Sequence, residues 1–269
     1  MTMGKYRSVA LSDPEFERDG LRFLTFKSPA LKGRGDVSIF IPEGCEAEQA
    51  VPLVLLLHGV YASHWAWPFL GGAHLTAGRL EREGRIRPMV LAMPSDGLWG
   101  DGTGYLPHAS ADYEKWIVED VVGCVTDVVP SLTQNSQVFI AGLSMGGYAA
   151  LRLGIKYAHR FSAISAHSAV THPSQFGLFV EESLSEYRSV PETELEIPYL
   201  AARGRESLPP LRFDCGTNDE LIDENRALHE DLVENRIPHE YFEFEGGHDW
   251  LYWRTHLEDT LLFFERHCR

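Results

Sequence analysis

Five short apolar runs, at 52–57, 88–93, 137–141, 161–166 and 211–215, set the strongest limit on the fold. Each is closed by Gly, Pro, His or Ser. Such runs read as strands covered on both faces, the pattern of a parallel sheet. Segments of helical period lie between them. After Asp112, a good N-cap residue, Tyr113, Trp116, Ile117, Val121, Cys124, Val125 and Val128 share one stripe that stops before Pro130. The segments 220–234 and 249–264 carry similar stripes. Strand and helix in alternation imply crossover connections, hence an α/β chain with a doubly wound, mostly parallel sheet. Upstream, 21–27 and 36–41 alternate sides, and Gly33 and Gly35 between them read as turn chemistry, so an N-terminal antiparallel hairpin is expected. With 269 residues the chain reads as a single domain, 1–269, large enough to bury its core without a disulfide or metal staple. The stretch 171–210, rich in Ser, Glu and Pro, breaks the rhythm. It is expected to be a short lid-like insertion, a cap excursion over the sheet edge.

Composition excludes several functions. Against 39 acidic side chains stand 24 basic ones, a net charge of −15, which disfavours nucleic acid and anionic membrane surfaces as partners. The longest apolar run, 51–57, contains Pro52 and is far too short to cross a bilayer. No apolar run follows the basic residues at the start, so no signal peptide is read there. Cys45, Cys124, Cys215 and Cys268 are scattered with no CxxC pair, which suggests neither a zinc site nor a disulfide framework. A reducing, cytoplasmic setting is the simplest expectation, and a homo-oligomer is left open.

The sharpest chemical signal is Gly142-Leu-Ser144-Met-Gly146-Gly147, a G-x-S-x-G that follows the apolar strand 138–141 and opens the helical run 148–157. A serine on such a turn projects its hydroxyl, and the flanking glycines remove Cβ atoms that would clash. Serine needs a base, itself oriented by an acid. Among the downstream histidines, His248 follows a strand at 241–244 through Gly246 and Gly247 and precedes a helix, which places it at the same sheet edge as Ser144. His167, in a loop, is a weaker competitor. His229, His256 and His267 read as solvated side chains on helices. For the acid, Asp219 sits just past the strand 211–215, with Asp223 one helical turn later as fallback. The oxyanion hole requires two backbone amides. Met145, after the nucleophile, supplies one, and Val60, in His58-Gly59-Val60-Tyr61 after the strand 52–57, supplies the other.

Four motifs taken together, the 52–59 strand and His-Gly with Trp65 beyond it, Ala141-Gly-Leu-Ser144-Met-Gly-Gly-Tyr, Cys215-Gly-x-x-Asp219 and Gly246-Gly-His248-x-Trp250-x-x-Trp253, resemble the esterase D-like branch of the α/β-hydrolases. That group includes tributyrin esterases, S-formylglutathione hydrolases and feruloyl or acetylxylan esterases. The motifs occur in the family's order across about residues 20–267, and 28–42 is similar to the family's first hairpin. The resemblance implies an α/β-hydrolase fold and a serine esterase, with Ser144, Asp219 and His248 as catalytic triad and Val60 and Met145 as oxyanion donors. The segment 58–67 is closer to tributyrin or feruloyl esterases than to S-formylglutathione hydrolases, whose cysteine-bearing loop is missing.

The expected function is therefore hydrolysis of a small-molecule carboxylic ester, with a small or aromatic acyl group, through an acyl-enzyme and without cofactor or metal. Thioester hydrolysis or acyl transfer by the same triad, and a non-catalytic binding protein on the same fold, are the alternatives. Trp65, Trp67, Trp99, Trp250 and Trp253, with Tyr61, Tyr105 and Tyr252, fall in or near carboxyl-edge loops; Tyr61, Trp65, Trp99 and Trp250 are the expected substrate-binding aromatics. The glycines at 100–104 precede a loop rather than a helix and read as a flexible turn, not a phosphate cradle. Arg34-Gly-Asp36 reads as turn chemistry, and Cys215 as a buried structural thiol.

Overall fold

The computed structural model describes residues 6–45, 48–187 and 190–269. Among the described residues nine strands form one sheet: β1 (Arg7–Leu11), β2 (Leu21–Ser28), β3 (Gly33–Phe40), β4 (Leu53–Leu57), β5 (Val90–Pro94), β6 (Val138–Leu143), β7 (Ile164–His167), β8 (Leu211–Gly216) and β9 (Glu240–Phe244). Their order is β1-β2-β3-β5-β4-β6-β7-β8-β9. β1, β2, β3 and β5 pair antiparallel, and all pairs from β5 through β9 are parallel. Strand β1, exposed along its length, has no apolar pattern and could not be read from the sequence.

The helices are α1 (Ala66–Phe69), α2 (Ala73–Arg82), α3 (Tyr113–Lys115), α4 (Val122–Val128), α5 (Met145–Lys156), α6 (Ile197–Gly204), α7 (Ile222–Glu234) and α8 (Trp250–Arg266). They cover both faces of the sheet, and β4 shows why its run is continuously apolar. Leu53, Leu55 and Leu57 belong to the core shared with α4–α7, whereas Val54 and Leu56 belong to the core shared with α2 and α8. A strand with helices on both sides has no polar face to alternate with.

The helical stripe expected over 113–128 is interrupted. Between α3 and α4 the chain makes a π-helical segment, Trp116–Val121, before the break ahead of Pro130. Trp116 is fully buried there and donates from its indole to the Ser95 carbonyl at 2.7 Å. A Cβ on Gly35 would stand 2.5 Å from the Trp116 ring. Gly35 therefore serves a close approach inside β3 rather than a turn, and Arg34 and Asp36 likewise lie in the strand; the β2–β3 turn is at 29–32, with Lys32 at φ 54°.

The stretch 171–210 holds three 3-10 turns (Pro173–Leu178, Leu184–Tyr187 and Glu192–Glu194), helix α6 and a final 3-10 turn, Arg205–Ser207. It is tied to the body by side chains that point outward from α5. Tyr148 donates to the Leu195 carbonyl at 3.1 Å and Arg152 Nε to the Glu194 carbonyl at 2.8 Å. Arg152, 1% exposed, also pairs with the Glu114 carboxylate at 2.6 Å. Phe176, Tyr187, Leu195 and Ile197 from this stretch are buried in the core.

Candidate active site

The chain reverses direction across the sheet around β4, running from there first to β5 and then back to β6. In an open α/β sheet such a switch point opens a crevice at the carboxyl ends of the strands. Ser144 stands there, between β6 and α5, with φ 52° and ψ −119°, a backbone conformation disfavoured for a residue with a Cβ. Its amide donates to the His167 carbonyl at 3.0 Å, and its carbonyl accepts from the amides of Tyr148 at 3.0 Å and Val170 at 3.2 Å. The flanking glycines permit the turn. A Cβ on Gly146 would lie 2.5 Å from the His58 carbonyl oxygen and closer still to that of Leu57.

Three residues meet at this point from three strand ends. His248 Nε2 lies 3.0 Å from Ser144 Oγ, and His248 Nδ1 lies 3.0 Å from each oxygen of the Asp219 carboxylate. Asp219 is buried, and burial alone would raise its pKa. The hydrogen bond and charge of His248, the Leu221 amide at 2.8 Å and the nearby Ser168 hydroxyl outweigh that and hold it below the usual carboxylate value. The Ser168 hydroxyl nevertheless has no partner of good hydrogen-bond geometry, so its share is the smallest. Phe179 stacks on one side of the imidazole (5.6 Å between centroids, 16° between planes), and Trp253 meets it edge-on at 5.0 Å. The sequence gives no sign that Phe179 reaches His248.

The competing residues are placed elsewhere. The His167 side chain is fully buried, 3.0 Å from Asp214 and 2.9 Å from Thr260. Asp214 also accepts from Arg212 at 2.5 Å and Tyr252 at 2.8 Å. Burial works to raise the Asp214 pKa, but these partners bring it down to about 2. Asp223, with 88% of its side chain exposed, pairs with Arg226 on the surface. His229 and His256 are half-buried and stacked on Tyr241 and Phe244 rather than freely solvated. Burial pushes the Cys215 thiol well up, which leaves it no thiolate.

The loop after β4 is fixed by His58, which is 1% exposed. Its Nε2 accepts from the Asp96 amide at 3.1 Å, so the proton sits on Nδ1 and is donated to the Gly59 carbonyl at 2.6 Å. Burial lowers its pKa in spite of Asp96 and the Gly59 carbonyl, which keeps this neutral tautomer. A Cβ on Gly59 would stand 3.3 Å from the Ser144 Cβ, so the Gly59–Val60 backbone passes directly beside the nucleophile. The 100–104 loop is not a flexible turn. Asp96 accepts from the amides of Leu98 at 2.9 Å and Thr103 at 2.8 Å, and a Cβ on Gly102 would touch both the Met145 sulfur (2.5 Å) and Val60 (3.2 Å).

The aromatics divide. Tyr61, 67% exposed and at φ 59°, and Trp65, 42% exposed, stand open at the strand ends. Trp99 packs on His108 and Tyr187, and Trp250 packs edge-on against Trp67 and Trp253. Trp67, Tyr105, Tyr252 and Trp253 are buried and do not line a mouth: Trp67 donates to the Leu57 carbonyl and Tyr105 to the His58 carbonyl. A concavity near 1100 Å³ is lined by Glu17, Arg22, Phe40, His74 and Arg82 among others and includes none of Ser144, Asp219 and His248. Among the described residues no group of three His, Cys, Asp or Glu is arranged to hold a metal ion, and no helix is long and apolar enough to cross a membrane.

Comparison with known proteins places the chain in a group. The profile of the Esterase family matches residues 28–264. The acetyl esterase of Caldicellulosiruptor saccharolyticus is 28% identical over 223 residues, covering 76% of this chain and 80% of that protein. Two other curated relatives, an esterase of Mycobacterium tuberculosis and the iron(III) enterobactin esterase of Escherichia coli, are longer, and the chain spans 55% and 58% of their length. A ferulic acid esterase structure superposes with TM-score 0.79 at 22% identity, covering 97% of this chain and 99% of that one. An S-formylglutathione hydrolase from Staphylococcus aureus does so with TM-score 0.75 at 19% identity, covering 94% and 98%.

Proposed function

This chain belongs to the Esterase family, a carboxylic ester hydrolase of α/β-hydrolase fold, and we propose that it works through an acyl-enzyme on Ser144 with His248 as base and Asp219 as the acid that orients it. The observation that carries the reading is the continuous line Ser144 Oγ to His248 Nε2 to Asp219, with 3.0 Å at each step. Ser144 Oγ attacks the ester carbonyl as Nε2 takes its proton. The Nδ1–H, held by both carboxylate oxygens, fixes the ring, and the ionised Asp219 stabilises the imidazolium. The amides of Met145 and Val60 receive the oxyanion; each donor contributes on the order of 2.7–4 kcal/mol to the barrier reduction. His248 then protonates the departing alcohol, and water, activated by the same imidazole, releases the acid.

The substrate is a small-molecule ester, and its acyl part is small or aromatic. What supports this is the exposed apolar rim at the strand ends, Tyr61, Trp65, Leu98 and Leu178, together with Phe179 over the imidazole. The test is the hydrolysis of p-nitrophenyl esters of increasing chain length and of methyl ferulate by wild type and Ser144→Ala. Turnover by the wild type, lost in the variant by about 10³-fold or more, is expected. Equal rates in the two proteins would overturn the assignment of Ser144.

A further inference from the structure

Among the described residues, five stretches that lead away from the carboxyl ends of the strands hold no Lys or Arg. They are the residues 58–65 after β4, 95–112 after β5, 168–187 after β7, 217–221 after β8 and 245–249 after β9. Together they hold three Asp in 95–112, three Glu in 168–187, and one Asp and one Glu in each of the last two, with no Lys or Arg in any. At the chain-wide frequency of 24 in 269, these 56 residues would carry about five. The acids are near their average density, so the anomaly is the missing positive charge. The first cation after β7 is Arg188, which lies outside the described residues.

Part of this charge is built into the mouth. The Asp101 carboxylate accepts from the Glu181 amide at 2.9 Å, and the Glu182 carboxylate accepts from the Asp101 amide at 3.1 Å, a reciprocal clasp between the loop after β5 and the 171–210 stretch. The Asp101 carbonyl accepts from the Tyr61 amide at 2.8 Å, next to Val60, and Gly102 packs on both Val60 and Met145. The clasp therefore sits one residue from the chain that touches both proposed oxyanion donors. Partial desolvation of the otherwise exposed Tyr61, with the Asp101, Glu181 and Glu182 carboxylates adding to it, raises the Tyr61 phenol above its ordinary pKa.

We propose that this face selects its ester by charge: it admits neutral and cationic esters and turns away those that carry a carboxylate. The selection rests on the Ser144 reading above, since it concerns what reaches that serine. No cation-binding site is implied; the fixed negative field, with no Lys or Arg among the described residues of these stretches to receive a carboxylate, repels an anion on approach and leaves it unpaired on arrival. Clefts of one sign change encounter rates by about 10- to 10³-fold, and the effect fades as the Debye length shrinks from ~10 Å at 0.1 M salt to ~3 Å at 1 M.

The experiment compares near-isosteric p-nitrophenyl esters with one leaving group: the valerate (neutral), the monoglutarate (anionic) and the 4-(trimethylammonio)butyrate (cationic). Each kcat/KM is divided by the ester's own hydroxide-catalysed rate and measured from low salt to 1 M. At low salt the monoglutarate is expected to fall at least about tenfold below the valerate, the cation to equal or exceed it, and the spread to narrow at 1 M. In Glu181→Lys, which changes a side chain outside the clasp's acceptor set, the anion-to-neutral ratio is expected to rise several-fold. A ratio near one that ignores both salt and Glu181→Lys overturns the proposal. Valerate turnover that disappears in Ser144→Ala keeps that outcome separate from a failure of the esterase mechanism itself.

Discussion

Gly146→Ala is the perturbation that most directly couples backbone packing to chemistry. Gly146 is the second residue of α5, and its α-carbon faces the end of β4. The added methyl would stand 2.5 Å from the His58 carbonyl oxygen and closer still to that of Leu57. Ordinary contact needs about 3.5 Å, so roughly 1 Å of retreat is required. Both obstacles are backbone, and His58 is locked to Gly59 and Asp96, so the retreat must be taken by the β4 end or by α5. Either movement shifts the Val60 amide relative to the Met145 amide. A misplacement of about 1 Å costs on the order of a hundredfold in rate, and complete loss of one donor about 2.7–4 kcal/mol. Overpacking adds a stability cost of about 1–3 kcal/mol. The assay is steady-state hydrolysis of p-nitrophenyl acetate beside thermal unfolding. The expected result is a fall in kcat of about a hundredfold or more, little change in KM and a lowered Tm. A folded variant with wild-type kcat would refute the reasoning, because it would mean that the β4 end can yield without disturbing the chemistry.

Asp219→Asn keeps the size but not the charge that holds the imidazole, and kcat/KM is expected to drop by about 10³- to 10⁴-fold with near-native Tm; a drop under tenfold would return the acid's role to open question. Arg152→Met removes one of the two cations on the buried Glu114 carboxylate, 3% exposed, and leaves it Lys156 at 2.8 Å; it is expected to cost about 1–3 kcal/mol, or roughly 2–6 °C in Tm. Asp214 has its folded pKa depressed to about 2 from an unfolded value of 3.8, so its stabilisation is present above pH 3.8 and is lost as the pH falls toward 2. That is roughly 2 kcal/mol, and acid unfolding of Asp214→Asn, followed by circular dichroism, is expected to lose that part of its pH dependence below pH 4 while the variant is less stable at neutral pH.

Much of the architecture is legible because the central parallel strands are apolar on both faces, as β4 shows by dividing its leucines and valine between two cores. The meeting of Ser144, Asp219 and His248 is legible for a related reason: each follows a strand in the same parallel set, so each must lie at one edge. Long-range packing is what periodicity does not carry. The glycine at 35 answers to the Trp116 ring from a distant helix, and the π-helical segment follows from fitting that ring against Ser95 and Phe26. The aromatic residues of the edge loops look alike in sequence, yet Trp67 and Tyr105 turn inward to bond backbone carbonyls at the end of β4 while Tyr61 and Trp65 turn out. Phe179 comes to His248 through the anchoring of the 171–210 stretch on α5, by contacts of Tyr148 and Arg152 that no local pattern announces.

The central claim is that Ser144 becomes acylated. Stopped-flow mixing of the enzyme with excess p-nitrophenyl acetate, with parallel quenched samples digested and mapped by mass spectrometry, addresses it most directly. The account predicts that whatever acetyl label is trapped lies on the Ser144 peptide and is absent in Ser144→Ala, with a p-nitrophenolate burst approaching one equivalent where deacylation limits turnover. A burst with no acetyl on Ser144, or the label on another residue, would contradict it.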